Sequence, residues 1–176
     1  TLGGAFATTS PFTLTQGVFI QNDNVFSCGN FVMTTGTYTG GSANTTVAGN
    51  FTFNDGTYTG GSGNVTITGS CAINGGTFNS TTGSMTVGNT FTRAGAAAFD
   101  PGTGTVIFEG RNNYSITTNG EIFNNVTFTA DNEDETYTIT LTDDFTISGN
   151  LVIDNDGYED RDNTYLYVKG DGTSPT

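Results

Sequence analysis

The sequence predicts an all-β fold, a single-stranded parallel β-helix or β-solenoid with about 20 residues and three short strands per rung and about nine rungs. Three observations carry that reading. A motif of the form apolar-x-apolar-x-Gly-Asn-apolar-x-apolar returns on a twenty-residue clock, as VFSCGNFVM from Val25, TTVAGNFTF from Thr45, VTITGSCAI from Val65 and MTVGNTFTR from Met85. It comes back as FTISGNLVI from Phe145 and, degenerate, as YLYVKGDGT from Tyr165. Each period holds short alternating stretches separated by Gly/Asn corners, residue types that tolerate positive φ. Composition agrees: 26 Gly among 176 residues, abundant Thr, no Trp and no His suit turn-rich, β-branched strands.

One period shows the construction. Residues 45–48 alternate, Gly49-Asn50 turns the chain, Phe51 to Phe53 alternate again, and Asn54-Asp55-Gly56 makes the second corner. A third strand follows at Thr57-Tyr58-Thr59, and Gly60-Gly61-Ser62-Gly63 closes the circuit. Corresponding strands of successive rungs are expected to pair in parallel about 4.8 Å apart. Residues 1–176 then read as one solenoid domain, with an N-terminal rung and junction segment at 1–16, regular rungs at 17–93 and irregular rungs at 94–144. C-terminal rungs at 145–169 and a tail at 170–176 complete it.

Stepping twenty residues at a time gives the core. Phe31, Phe51, Cys71 and Phe91 form one inward stack; Met33, Phe53 and Ile73 a second; Val47, Ile67, Val87 and Ile147 a third; Tyr38, Tyr58 and Phe78 a fourth. The corner column Asn30, Asn50, Ser70 and Asn150 predicts a ladder of amides, each bonded to the next rung. Cys28 falls in the column of Ala48, Thr68 and Ser148 and is expected to face outward, two rungs from the buried Cys71. No disulfide is therefore expected between them, because Cα atoms must come within about 7 Å.

Charge narrows the function. The formal net charge is −13, with Arg93, Arg111, Arg161 and Lys169 as the only bases. Nucleic acid binding needs a basic face and is not expected; nor is membrane insertion, for which no apolar run is long enough. The missing initiator Met and signal peptide suggest a mature or excised segment of a longer precursor. An acidic, Lys-poor, Thr-rich surface points to an extracellular or cell-surface location.

GTGTVIFEG, EIFNNVTFTA and DDFTISGNLVI resemble the β-strand repeats of bacterial surface proteins of the adhesin and autotransporter type, over most of residues 25 to 153. The resemblance implies a parallel β-helix displayed outside the cell, with adhesion or matrix building as its role, and carries over no catalytic residue. An enzyme is not expected: bases are few and scattered, and His is absent as a general base. Paired acids such as Asp143/Asp144 read as solvated turn residues.

No cofactor is expected, calcium excepted as a candidate. Asp154, Asp156, Asp160 and Asp162 alternate around Gly157 as oxygen donors do in calcium loops, although the EF-hand pattern fits poorly and a solvated acidic corner explains them as well. Outward threonines, Thr37/Thr39 and Thr57/Thr59 with the file Thr46, Thr66, Thr86 and Thr146, resemble the ranked arrays of solenoid ice-binding proteins. That array degrades to Thr77/Asn79 and Ala97/Phe99.

The ends decide among the alternatives. An uncapped solenoid edge is a template for more strands, which monomeric solenoids cover with a helix or a charged loop, and neither cover is expected here. Phe6, Phe12 and Leu14 give the first rung an apolar interior, and Tyr165, Leu166, Tyr167 and Val168 the last. The expected role is a non-enzymatic structural subunit whose partner is itself, stacking head to tail into an extracellular filament. A segment of an adhesin stalk and an ice-binding protein are the alternatives; a glycan or surface ligand is not specified by any motif.

Overall fold

Strands of three residues flanked by glycine and asparagine cannot form hairpins of useful length, so each pairs with its equivalent one circuit later. A computed structural model shows the result, a parallel β-solenoid, and describes residues 1–110, 112–130, 137–154 and 166–170. Two sheets of eight strands run its length, a third of five strands forms the remaining face, and a two-stranded sheet succeeds it toward the C-terminus. Every pairing among the described residues is parallel, and the chain makes about seven turns. The count falls below the nine that twenty-residue spacing predicts because later rungs are longer. Met85 pairs with Val106 and Val126 with Leu151, steps one and five residues longer than the twenty that join Val65 to Met85.

The inward files are continuous. In the first sheet Thr45, Val65, Met85, Val106 and Val126 stand in register, beside Val47, Ile67, Val87, Phe108 and Phe128, all buried. In the second, Phe12, Phe31, Phe51, Cys71 and Phe91 align, with Phe31 and Phe51 stacked at 4.7 Å between ring centroids. Met33, Phe53 and Ile73 run alongside and are fully buried. In the third, Tyr38, Tyr58 and Phe78 stack at 4.7 and 4.4 Å with nearly parallel rings.

Two placements differ from the sequence reading. Cys28 is buried, because the corner Gly29-Asn30 is one residue shorter than Ala48-Gly49-Asn50; this shifts Cys28 into register with Val47 and under the core. Ile147 does not join the Val47 file. It pairs with Phe123 in the two-stranded sheet and is half-buried there.

Corners are held by amide ladders. Asn50 N–H donates to Asn30 Oδ1 at 2.8 Å and Ser70 N–H to Asn50 Oδ1 at 2.9 Å. A second ladder, which the periodicity did not single out, joins Asn64 N–H to Asn44 Oδ1 and Ser84 N–H to Asn64 Oδ1. Asn150 belongs to that second corner rather than to the Asn30 column: its N–H donates to Asn125 Oδ1 at 3.0 Å, just ahead of Leu151. At the corner before the third sheet, Gly36, Gly56 and Gly76 stack at φ of 94°, 98° and 64°, where an added Cβ on Gly56 or Gly76 would also run into the preceding rung's backbone.

The tyrosine stack contains an asymmetry. Tyr38 Oη lies 2.7 Å from Gln21 Oε1 and 3.0 Å from Thr45 Oγ1, while Gln21 Nε2 donates to the carbonyls of Asn24, Ala43 and Asn44. One rung on, Val65 replaces Thr45, and the buried Tyr58 hydroxyl has no protein partner among the described residues. A buried hydroxyl left unpaired is destabilising by about 1–3 kcal/mol. Tyr58→Phe is therefore expected to raise stability by about 1 kcal/mol and Tyr38→Phe to lower it by a similar amount. Urea melts of the two variants check this, and equal signs would contradict the hydrogen-bond assignment.

Candidate functional site

The distinguishing surfaces of a solenoid are its two ends, where the files stop. At the N-terminal end the strands Phe6–Ala7, Phe12–Leu14 and Val18–Ile20 are the last members of their sheets. Phe6 stacks on Phe26 at 5.5 Å yet remains 37% exposed; Phe12 is half-buried and Leu14 is buried. Among the described residues, the strand Leu151–Asp154 is the last of the first sheet and Leu166–Gly170 the last of the second. Leu166, Tyr167 and Val168 lie on that second strand, and Tyr165 lies outside the described residues.

Among residues whose side chains are described, the exposed apolar ones at this end lie on the first sheet. Leu151 and Ile153 continue the Val126 and Phe128 files, which are buried from Phe26 to Val126 and from Cys28 to Phe128, and they are 52% and 60% exposed. A strict twenty-residue count from Phe51 would put Leu151 on the second sheet. The signal for its true place was the summed insertion along the chain, which periodicity alone does not locate.

Charge separates the ends. Residues 1–99 carry only Asp23, Asp55 and Arg93, and residues 1–22 carry no charged side chain at all. Twelve of the 17 acidic residues fall between Asp131 and Asp171. Along the sequence, then, the first hundred residues are nearly neutral and the last fifty acidic.

A polar column replaces part of the core at the irregular rungs. Ile73 pairs with Arg93 in the second sheet. Arg93 Nη1 donates to the carbonyls of Thr118 and Asn119, and Nε lies 3.5 Å from Glu121 Oε2. The Asp143 carboxylate accepts from the N–H and Oγ1 of the fully buried Thr118 and from Asn119 N–H. Its oxygens thus tie the corner of the rung beneath, which gives Asp143 a structural role in place of the solvated turn the sequence suggested.

A shallow cleft opens nearby, where the third face changes sheets, lined by Asp100–Thr103, Glu121, Ile122, Asn124 and Ser148. Asp100 Oδ1 accepts from Gly102 N–H at 2.8 Å and Asn124 Nδ2 donates to the Thr103 carbonyl at 3.1 Å, so these groups are engaged in shaping the corner.

Both cysteines are free and buried, in different sheets. Burial pushes the Cys28 thiol from 9.0 up to about 11, and the Tyr38 hydroxyl from 10.0 up to about 12; Cys71 moves the same way. The folded state thus holds these protons more tightly than the unfolded chain. Their stabilising effect is complete below about pH 9 and is lost as pH rises through the interval from about 9 to 12. Melting temperature is expected to be flat near neutrality and to fall across that interval; an unchanged value at pH 11 would contradict the burial of these groups.

Among the described residues, no group of three or more Asp, Glu, Cys or His side chains could hold a metal ion. Of the calcium candidates Asp154 is exposed on the terminal strand, and Asp156, Asp160 and Asp162 lie outside the described residues. The outward threonines split between faces. Thr46, Thr66 and Thr86 form one file on the first sheet, continued by Ile107, whereas Thr146 pairs with Ile122 elsewhere. On the third sheet Thr37/Thr39, Thr57/Thr59 and Thr77/Asn79 are followed by Ala98 and Asp100 rather than Ala97 and Phe99. The corner 94–97 is one residue longer than its predecessor, and Phe99 turns inward under Phe78.

Comparison with protein-family models, with curated proteins and with solved structures found no match. What stands is the architecture, a repetitive parallel β-solenoid suited to a structural role.

Proposed function

We propose that this chain is a non-catalytic structural subunit that stacks end to end with copies of itself into a filament outside the cell. The observation that carries the reading is the exposure of Leu151 and Ile153, inward members of files that are otherwise buried along the solenoid, opposite an exposed Phe6 at the other end. Apolar side chains in core positions at a strand edge are the unfinished half of a rung. A further rung would remove them from water at about 25 cal/mol per Å² of apolar surface and satisfy the terminal backbone groups at once. A second copy supplies both. The acidic, Lys-poor composition suits a secreted or surface-displayed polymer and keeps its members soluble.

Electron microscopy of the purified chain at neutral pH tests the proposal. Unbranched fibres with a layer line at about 4.8 Å are expected. Isolated rods about 35 Å long, the height of seven rung spacings, would reject it.

A further inference from the structure

We propose that the filament junction has one polarity and one register: the strand Leu151–Asp154 receives the strand Phe6–Ala7 of a second copy in parallel, with Leu151 over Phe6, Val152 over Ala7 and Ile153 over Thr8. The inference rests on the filament reading and adds to it the orientation of neighbouring subunits.

Backbone phase supplies the first argument. At each internal step of the first sheet an inward residue donates its N–H to the carbonyl just before its in-register partner on the next rung. Phe6 N–H reaches the Val25 carbonyl at 2.9 Å while pairing with Phe26, and Phe26 N–H reaches that of Asn44 while pairing with Thr45. Thr45 N–H reaches Asn64 while pairing with Val65, and Val126 N–H reaches Asn150 while pairing with Leu151. Because alternate residues of a parallel strand face opposite neighbours, Leu151 and Ile153 direct their backbone groups onward, past the last rung of this sheet. At the other end Phe6 and Thr8 donate to Val25 and Ser27, so Ala7 directs its groups backward. Placing Leu151 over Phe6 repeats the internal rule, with Leu151 N–H donating to the Ala5 carbonyl of the second copy and Ala7 N–H to the Leu151 carbonyl. A slip of one residue would put the outward Ala7 over the inward Leu151 and reverse both faces.

The side chains agree with that phase. Leu151 then covers the exposed Phe6 ring, which heads the file Phe6, Phe26, Thr45, Val65, Met85, Val106, Val126 and Leu151, and the file becomes endless.

Charge selects the polarity. Tail-to-tail contact would set Asp154, exposed on the strand Leu151–Asp154, against its own copy, whereas head-to-tail contact sets it against a rung without charged side chains.

Cysteine cross-linking within fibres tests both claims. Ala7 and Val152 face outward and are exposed, and the native Cys28 and Cys71 are buried. In-register parallel neighbours have Cα atoms about 4.8 Å apart, inside the range a disulfide spans, and a two-residue slip moves them to about 8 Å, outside it. Fibres of the double variant A7C/V152C, oxidised and run on a denaturing gel, should give a ladder of dimers, trimers and longer species. Fibres of A7C alone, of V152C alone and of the slipped pair A5C/V152C should each give at least about tenfold less product than the in-register pair. Dimers from A7C alone would show head-to-head contact and dimers from V152C alone tail-to-tail contact; either overturns the proposed polarity. Fibres visible by microscopy that yield no A7C/V152C ladder overturn the register and leave the filament standing, whereas an unmodified chain that never forms fibres overturns both.

Discussion

Ile153→Asp leaves the solenoid folded and holds it as single rods. Ile153 is 60% exposed in one subunit, so the substitution removes little burial from the isolated fold. In the proposed fibre the same position lies between Phe128 and Thr8 of the next copy, where a carboxylate would have to give up most of its water for at most one hydroxyl. Lost apolar burial and that desolvation together amount to about 3 kcal/mol per junction, a rise of roughly a hundredfold in the concentration needed for assembly. Sedimentation of polymer across a concentration series measures it, with the melting temperature of the soluble fraction as the control for folding. Assembly of I153D at the unmodified chain's threshold would mean that this end takes no part in the contact.

Phe51→Ala is expected to destabilise the fold by about 3–5 kcal/mol, the largest effect of any single truncation considered. Phe51 is 1% exposed, stacked on Phe31 and set edge-on to Tyr58 at 5.4 Å and to Phe78 at 5.8 Å. Its backbone is pinned above and below by in-register strands, so neighbouring rungs cannot close over the void. The adjacent Cys71 already makes that file narrow, which leaves no large side chain able to swing in. Urea unfolding of the variant measures the loss, and a value below about 1 kcal/mol would show that the rungs relax independently instead of packing as one column.

The contrast between Cys28 and Cys71 shows what periodicity can and cannot say. Cys71 shares its column with Phe51 and Phe91 at a strict twenty-residue spacing, and its burial follows from counting. Cys28 sits beside a corner one residue short, which alters which side of the strand it occupies while leaving the Gly-Asn signature intact. Corner length is written in the sequence, yet its effect on facing depends on which residues pair, and pairing is a property of neighbouring rungs.

The same reasoning explains the C-terminal end. FTISGNLVI keeps the twenty-residue clock, but Leu151 stands above Thr45 and not above Phe51 once the register is followed from rung to rung. Longer steps between Met85 and Val106 and between Val126 and Leu151 add six residues, the distance from Thr45 to Phe51, so the motif returns on time and one face late. Arg93 was equally illegible. It occupies an inward position above Ile73, and only the Thr118 and Asn119 carbonyls and Glu121, brought in by a later rung, make a charge tolerable there.

By itself the sequence determined the all-β solenoid, the three strands per rung, the aromatic files of the regular rungs and the amide ladder from Asn30 to Ser70, because all of these depend on period-two alternation and a repeat that adjacent rungs share. Only the tertiary structure decided which sheet Leu151 and Ile153 join, where the polar column interrupts the core, and which face each threonine file occupies. Those follow from accumulated register, and a solenoid carries every insertion forward to all later rungs.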